Sequence, residues 1–260
     1  MIHTFVVLAY KESRFLEECI KSVLDQSIKS NVVIATSTPN QFISEMAEKY
    51  NLQIFVNEEH KGIGYDFDFA IKCGQTKLVT VAHQDDIYDR TYAEEVVKAY
   101  ESQKKSIIIF PDYYEIKHGK KVYKNRNLKI KNILLMPLRM RFLSNRKFIK
   151  RCALRLGDAI SCPAVTFNKD RIPDEVFACD LKCNVDWFAW EKLSKREGYF
   201  LYVHKPLMGH RIYGESTTTE IIKDNLRTKE DYYVLCKFWP KPIAKVIAKV
   251  YANSEKSNEE

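Results

Sequence analysis

Five short runs of β-branched and apolar residues recur through the first 110 positions: TFVVLA (4–9), VVIAT (32–36), QIFV (53–56), KLVTVA (77–82) and SIIIF (106–110). Each is long enough for a buried strand, and each pair is separated by a segment of helical pattern. In 13–25 Ser13 stands where an N-cap belongs, and Phe15, Leu16, Cys19, Ile20, Val23 and Leu24 fall on one apolar stripe. Segments 40–49 and 63–73 read as short helices and 90–102 as a clearer one. Strands joined by helices cannot be hairpin neighbours; the crossovers imply parallel pairing in a doubly wound sheet. Ligands of such sheets bind beyond the C-terminal strand ends. The expected class is therefore α/β, a mixed, mainly parallel sheet flanked by helices, with a C-terminal helical extension.

After residue 110 the pattern changes. Residues 111–131 read as a hairpin or extended arm, and the basic amphipathic stretch that follows is interrupted by Pro137. Residues 163–167 return to the sheet, 186–197 form a helix with Asp186 at its start, and 199–204 form a strand. Helical segments follow at 219–237 and 240–252. With 45% hydrophobic residues in 260 the chain can bury a sizeable core, and 8 Gly and 8 Pro speak against a loop-dominated all-β scaffold.

The charge is uneven. Residues 117–151 hold 13 Lys or Arg and no Asp or Glu, more than the whole chain's net +8. A localised basic patch selects an anionic partner: nucleotide phosphate, nucleic acid or an anionic membrane. The interleaved Ile130, Ile133, Leu134, Leu135, Met136, Leu138, Met140, Phe142 and Leu143 favour an interfacial amphipathic element, and Lys241, Lys245 and Lys249 form a stripe beside Ile243, Val246, Ile247 and Val250. Seven cysteines without a framework fit a reduced, cytoplasmic setting; Cys162, Cys179 and Cys183 offer zinc ligands, but no C-x-x-C pair supports them. The N-terminus reads as a core strand rather than a signal peptide, and no apolar stretch of ~18 residues predicts a spanning helix.

AHQDD (82–86) closes the fourth strand. Adjacent carboxylates at a partly dry strand end stay ionised only beside a cation, for which a divalent metal is an economical partner. Asp86 and Asp89 have a second reading, as caps of the helix at 90–102. The spacing leaves both open.

Several motifs in order carry a resemblance. Ala9-Tyr10-Lys11-Glu12 follows the first strand, Ser22-Val23-Leu24-Asp25-Gln26-Ser27 ends the first helix, and Asn57 to Asp68 holds Gly62 at a set spacing. His83-Gln84-Asp85, Asn184-Val185-Asp186-Trp187 and Gly209-His210-Arg211 follow. Over residues 1–219 this order resembles the family 2 glycosyltransferases of the GT-A (Rossmann-like) fold. The resemblance implies a metal-dependent, inverting transfer of a sugar from a nucleotide-diphosphate sugar, a UDP-sugar first among them, to a glycan or lipid-linked glycan in surface polysaccharide or glycoconjugate synthesis. It implies donor contacts from Ala9, Tyr10, Glu12, Thr36, Lys61, Asp68, His83, Gln84 and Arg211. It implies Mn²⁺ or Mg²⁺ on Asp85 and His210, Asp186 as general base, and acceptor contacts from Trp187 and Asp86.

The chain departs from that family at four places. The second strand ends Ala35-Thr36-Ser37-Thr38-Pro39 where the family has Asp-Asp-Gly-Ser, His83 replaces the first Asp of Asp-x-Asp, Asp68 replaces an Asn, and Val185 stands where a second acid is common. The expected organisation is a transferase domain at 1–218, with a nucleotide-sugar half (1–110) and an acceptor half (111–218) carrying the basic insertion 117–151, then the extension 219–260. The expected location is cytoplasmic, with peripheral contact at the inner membrane face and no nucleic-acid partner. Rival classes are a non-catalytic nucleotide- or nucleic-acid-binding module and a nucleotidyltransferase, but YKESRF lacks the glycine-rich phosphate loop of the latter.

Overall fold

The computed structural model describes residues 1–59, 62–213 and 226–256, with side chains to residue 250. Strands β1 (His3–Ala9), β2 (Asn31–Thr36), β3 (Gln53–Val56) and β4 (Leu78–His83) are joined through helices α1 (Leu16–Leu24), α2 (Gln41–Tyr50) and α3 (Ile63–Cys73). They pair in parallel in the order β3-β2-β1-β4. The order reverses at β1, so a crevice opens at the carboxyl ends of β1 and β4. Successive residues serve opposite faces: Phe5, Val7, Ala9, Val32 and Ile34 join one core cluster, Val6, Val33 and Ala35 the other. Both faces are covered, which is why these strands read as continuous apolar runs rather than as alternation.

Beyond β4 lie β5 (Ile87–Tyr88), α4 (Tyr92–Ser102), β6 (Ser106–Lys117) and β7 (Lys120–Val122). Helices α5 (Arg126–Leu134), α6 (Met136–Arg139) and α7 (Lys147–Leu154) build the basic insertion. After it come β8 (Thr166–Asn168), α8 (Val185–Ser194), β9 (Tyr199–Ile212), α9 (Leu226–Leu235) and α10 (Lys241–Lys256). The sheet continues β4-β8-β6-β9-β5, with β8 antiparallel to β4 and β6, and β9 parallel to β6.

Two strands outrun their expected ends. β6 continues through Pro111 to Lys117, and β9 continues to Ile212, because the pair shifts register beside Pro111 and Asp112 and so absorbs the missing proline donor. The hairpin expected after residue 110 is the β6–β7 pair, turned by His118 (φ 49°) and Gly119 (φ 74°). Pro137 sits in the first turn of α6, where it costs no helical hydrogen bond. Ser13 does not cap α1: the helix begins at Leu16, and the Ser13 hydroxyl accepts instead from the Phe15 N–H at 3.3 Å. Asn40 caps α2 through the Ile43 N–H at 2.9 Å.

The C-terminal helices pack on the body rather than standing apart. Val234, Leu235, Ala244 and Ala248 enclose Trp187, which is 1% exposed and donates its indole N–H to the Leu154 carbonyl at 3.0 Å. Glu230 of α9 accepts the backbone N–H groups of Lys182, Cys183 and Asn184 at 2.8–3.0 Å, while Asp231 accepts from the Asn184 amide at 2.8 Å. The turn that launches α8 is therefore fixed by carboxylates from α9. Replacing Glu230 by Ala leaves three amides without their acceptor and should cost about 1.5–3 kcal/mol; urea unfolding of the variant measures it, and Glu230→Gln, which keeps one acceptor, should lose less.

Candidate active site

The crevice at the ends of β1 and β4 gathers most of the sequence-predicted residues. Gln84 joins the two strand ends: its carbonyl accepts the Tyr10 N–H at 2.9 Å and its amide donates to the Tyr10 carbonyl at 2.9 Å. Both halves of that side chain are occupied, so Gln84 positions Tyr10 rather than reaching for a nucleotide. Tyr10 is 47% exposed with Lys11 Nζ 5.3 Å from its ring centroid, an open aromatic face at the crevice rim. Lys11 takes φ 54° and donates its N–H to Thr38 Oγ1 at 2.6 Å. Glu12 is exposed. Ala9 is buried at the strand end, so only its backbone can face a ligand.

At the end of β4, Asp86 is fully buried. It accepts the Arg211 N–H at 2.9 Å and faces His210 Nδ1 at 3.1 Å. Asp85 accepts the Tyr213 hydroxyl at 3.0 Å. Burial first, then the charge of Asp86, raises the Asp85 pKa above its ordinary value. His83 stacks on Phe67 with ring centroids 5.2 Å apart, and burial lowers its pKa although Asp86 and Asp85 oppose the shift. Burial would lower the His210 pKa as well, but Asp86 beside it turns the balance upward.

Three metal-type donor atoms, from His83, Asp85 and Asp86, lie within 4.8 Å of one another. His83 Nε2 is buried with no hydrogen-bond partner. A neutral imidazole with an unmatched lone pair beside a carboxylate disposed to gain positive charge fits a divalent cation. His83, Asp85 and Asp86 thus stand close enough to share one cation, while His210 Nδ1 faces Asp86 at 3.1 Å. Among the described residues no cysteine cluster offers an alternative centre; the thiols are free, and burial raises the pKa of Cys162 and Cys179.

Several expectations are corrected. Asp86 cannot meet an acceptor because it is enclosed by His210 and the Arg211 amide, and it does not cap α4. Trp187, expected as an acceptor platform, is a core residue, since its position in α8 points it at α9 and α10. Thr36 is buried and its hydroxyl accepts the Thr38 N–H at 3.0 Å. Asp68 is not a donor contact: its carboxylate accepts the N–H groups of Val176, Phe177 and Ala178 at 2.8–3.1 Å. Gly64 permits that approach, since a Cβ there would lie 2.7 Å from the Phe177 oxygen. Arg211 donates to the Asp85 carbonyl at 2.9 Å and to Glu18 at 2.6 Å and covers the Phe15 ring, so its guanidinium is engaged within the fold. Lys61 lies outside the described residues.

Two carboxylates escaped the sequence reading. Asp66 of α3 binds Ser37 and Asn57, each at 2.8 Å, and so brings a carboxylate to the end of β2, where the sequence has none. Asp158, half-buried in the loop after α7, hydrogen-bonds to Asp186. Burial first, and the Asp186 charge next, push its pKa well above the ordinary 3.8, so folding favours the protonated form of Asp158. Asp186, in the first turn of α8, also accepts the Trp187 N–H at 2.8 Å. Its charge acts on both His83 and Cys162. No spacing rule links Asp158 to Asp186; the strand β8 between them brings them together.

A mainly parallel sheet with an acidic, metal-competent cluster at its switch point and a carboxylate at a facing helix start defines a class of nucleotide-sugar transferases. The fold matches solved GT-A enzymes. The Staphylococcus aureus TarS fragment 1–349 in complex with UDP-GlcNAc superposes with TM-score 0.64 at 14% identity over 95% of this chain and 70% of that one. The same fragment alone gives 0.63 at 13% identity, covering 95% and 69%. A mannosyltransferase from Pyrobaculum calidifontis, in complex with GDP-Man and Mn²⁺, gives 0.60 at 14% identity, covering 96% and 68%. No curated protein matches by sequence. The model of Glycosyl transferase family 2 matches residues 4–162, and the chain belongs to that family. It is a glycosyltransferase.

The Asp158 proton has a measurable signature. Below the ordinary carboxylate pKa folded and unfolded chains both hold it; above, only the folded chain does, so this group makes stability fall as pH rises. Asp158→Asn removes that dependence. Relative to wild type, its unfolding free energy should increase by up to ~1.4 kcal/mol per pH unit above about pH 4, measured by urea unfolding between pH 5 and 7.

Proposed function

We propose that the protein is a metal-dependent, inverting glycosyltransferase moving a sugar from a nucleotide-diphosphate sugar, first of all a UDP-sugar, to a hydroxyl of a glycan or lipid-linked glycan. Surface polysaccharide or glycoconjugate synthesis is the setting this suits. The observation that carries the reading is the convergence of His83, Asp85 and Asp86, with His83 Nε2 buried and unmatched. His83 and Asp85 would hold Mn²⁺ or Mg²⁺, with Asp86 behind them oriented by His210. When bound, such a cation neutralises the leaving diphosphate as a Lewis acid.

The chain's own residues do the rest. Tyr10, fixed by Gln84, offers its exposed ring to the base. Ser37, Asn57 and Asp66 form the polar floor at the end of β2. Asp186, in the first turn of α8, accepts the proton of the acceptor hydroxyl. Asp158, holding a proton toward Asp186, leaves that carboxylate free to turn its other lone pairs to the acceptor. A single base of this kind suits one direct displacement, and hence inversion. Helices α9 and α10 belong to the same working unit, because α9 braces the turn that presents Asp186. Among the described residues no helix is long and apolar enough to cross a membrane. We place the enzyme at the inner membrane face, bound from the aqueous side.

Asp186→Asn should lower transfer by about 10²–10⁴-fold while leaving nucleotide affinity unchanged; near-wild-type turnover removes Asp186 as base. In thermal-shift measurements with Mn²⁺ and a panel of nucleoside diphosphates, Tm should rise only when metal and one nucleotide are present together. Asp85→Asn and His83→Ala should abolish that joint rise. A rise with nucleotide alone, equal in all variants, would point to a non-catalytic binding module.

A further inference from the structure

We infer that the outer face of residues 126–148, continued by the outer side of α10, docks on an anionic lipid surface. The inference uses no part of the donor site.

The insertion fills its core with Leu128, Leu135 and Leu138, all buried. It nevertheless presents Ile130, Ile133, Met136, Met140, Phe142 and Phe148 to solvent, the two phenylalanines 73% and 70% exposed. Large apolar side chains rarely cluster on a free surface without a partner. Among them stand exposed Arg126, Lys129, Arg141, Arg146 and Lys147, and no acidic residue interrupts 117–151.

The α10 helix repeats the pattern. It docks through buried Ala244 and Ala248, leaving Ile243, Val246 and Val250 exposed beside Lys241, Lys245 and Lys249. The segment before α10 rests on the end of α7. There Arg151 donates to the Lys237 carbonyl at 2.6 Å and Trp239 donates to the Arg155 carbonyl at 2.7 Å.

Charge and side-chain type choose the occupant. A second copy would bring one basic face against another. Nucleic acid would match the charge and could stack on Phe142 and Phe148, but it leaves the aliphatic majority of the face, Ile130, Ile133, Met136 and Met140, without a partner. An anionic bilayer satisfies both parts: headgroups meet Arg and Lys, and the apolar tips enter the boundary beneath them.

Co-sedimentation with phosphatidylcholine vesicles, with and without one third phosphatidylglycerol, tests this at low and high salt. Binding should require phosphatidylglycerol and weaken with salt. Neutralising Arg141→Gln, Arg146→Gln and Lys147→Gln together should weaken it on the order of a hundredfold, from roughly fivefold per basic residue. Phe142→Ser with Phe148→Ser should weaken it at least roughly tenfold. All five side chains are exposed, so the urea midpoint should stay at its wild-type value in both variants. Equal binding to both vesicle types, or none to either, overturns the inference. So does binding to RNA in place of vesicles, or a dimer in sedimentation equilibrium that the two Ser substitutions dissolve.

Discussion

Asp86 ties the carboxyl end of β4 to β9, three strands away in the sheet. It is buried at the turn after β4, and its partners, His210 and the Arg211 N–H, come from β9. A buried carboxylate without partners is costly, so β9 must extend past its hydrophobic stretch to reach this point. That requirement accounts for the length of β9 and for the irregular register with β6 that lets it run on. The same contact sets Asp85 and His83 beside one another, because Asp86 holds the turn from which both project. The charge state of the cluster follows from this tie.

The first half of the fold was legible because a parallel sheet covered on both faces writes itself as apolar runs between amphipathic segments. Strand and helix positions through residue 102 moved by at most three residues, apart from the missing Ser13 cap and the short β5, which the sequence pattern did not mark. The site was legible in part. Asp85, Asp186 and His83 occupy strand-end and helix-start positions that local sequence marks. The failures share a physical cause: a side chain's partner is set by tertiary packing. Thr36, Asp68 and Arg211 are polar residues near the crevice, yet each meets a backbone group or counter-charge within the fold. Trp187 sits one residue from Asp186 and points the other way, since neighbours on a helix diverge by about 100°. Asp158 and Asp66 were missed for the converse reason, that no local pattern announces a carboxylate delivered from another element.

The molecule shows two polar economies side by side. In the crevice, Asp85 and His83 retain unmet electrostatic demand. Around it, Asp68 and Glu230 each accept three backbone amides and fix the loops that carry them. Rigid supports around an unsatisfied centre are what preorganised catalysis needs, because the reacting groups then wait in position instead of reorganising. The basic insertion adds a third environment, whose charge is left open to the outside.

The clamp of Glu230 on the turn before α8 also has a bearing on synthesis. The helix that carries Asp186 receives its anchor from a residue more than forty positions later in the chain. While the polypeptide leaves the ribosome, the metal-competent cluster can form on its sheet before that anchor exists. In the nascent protein the turn that presents Asp186 thus gains its carboxylate brace only once α9 has been made.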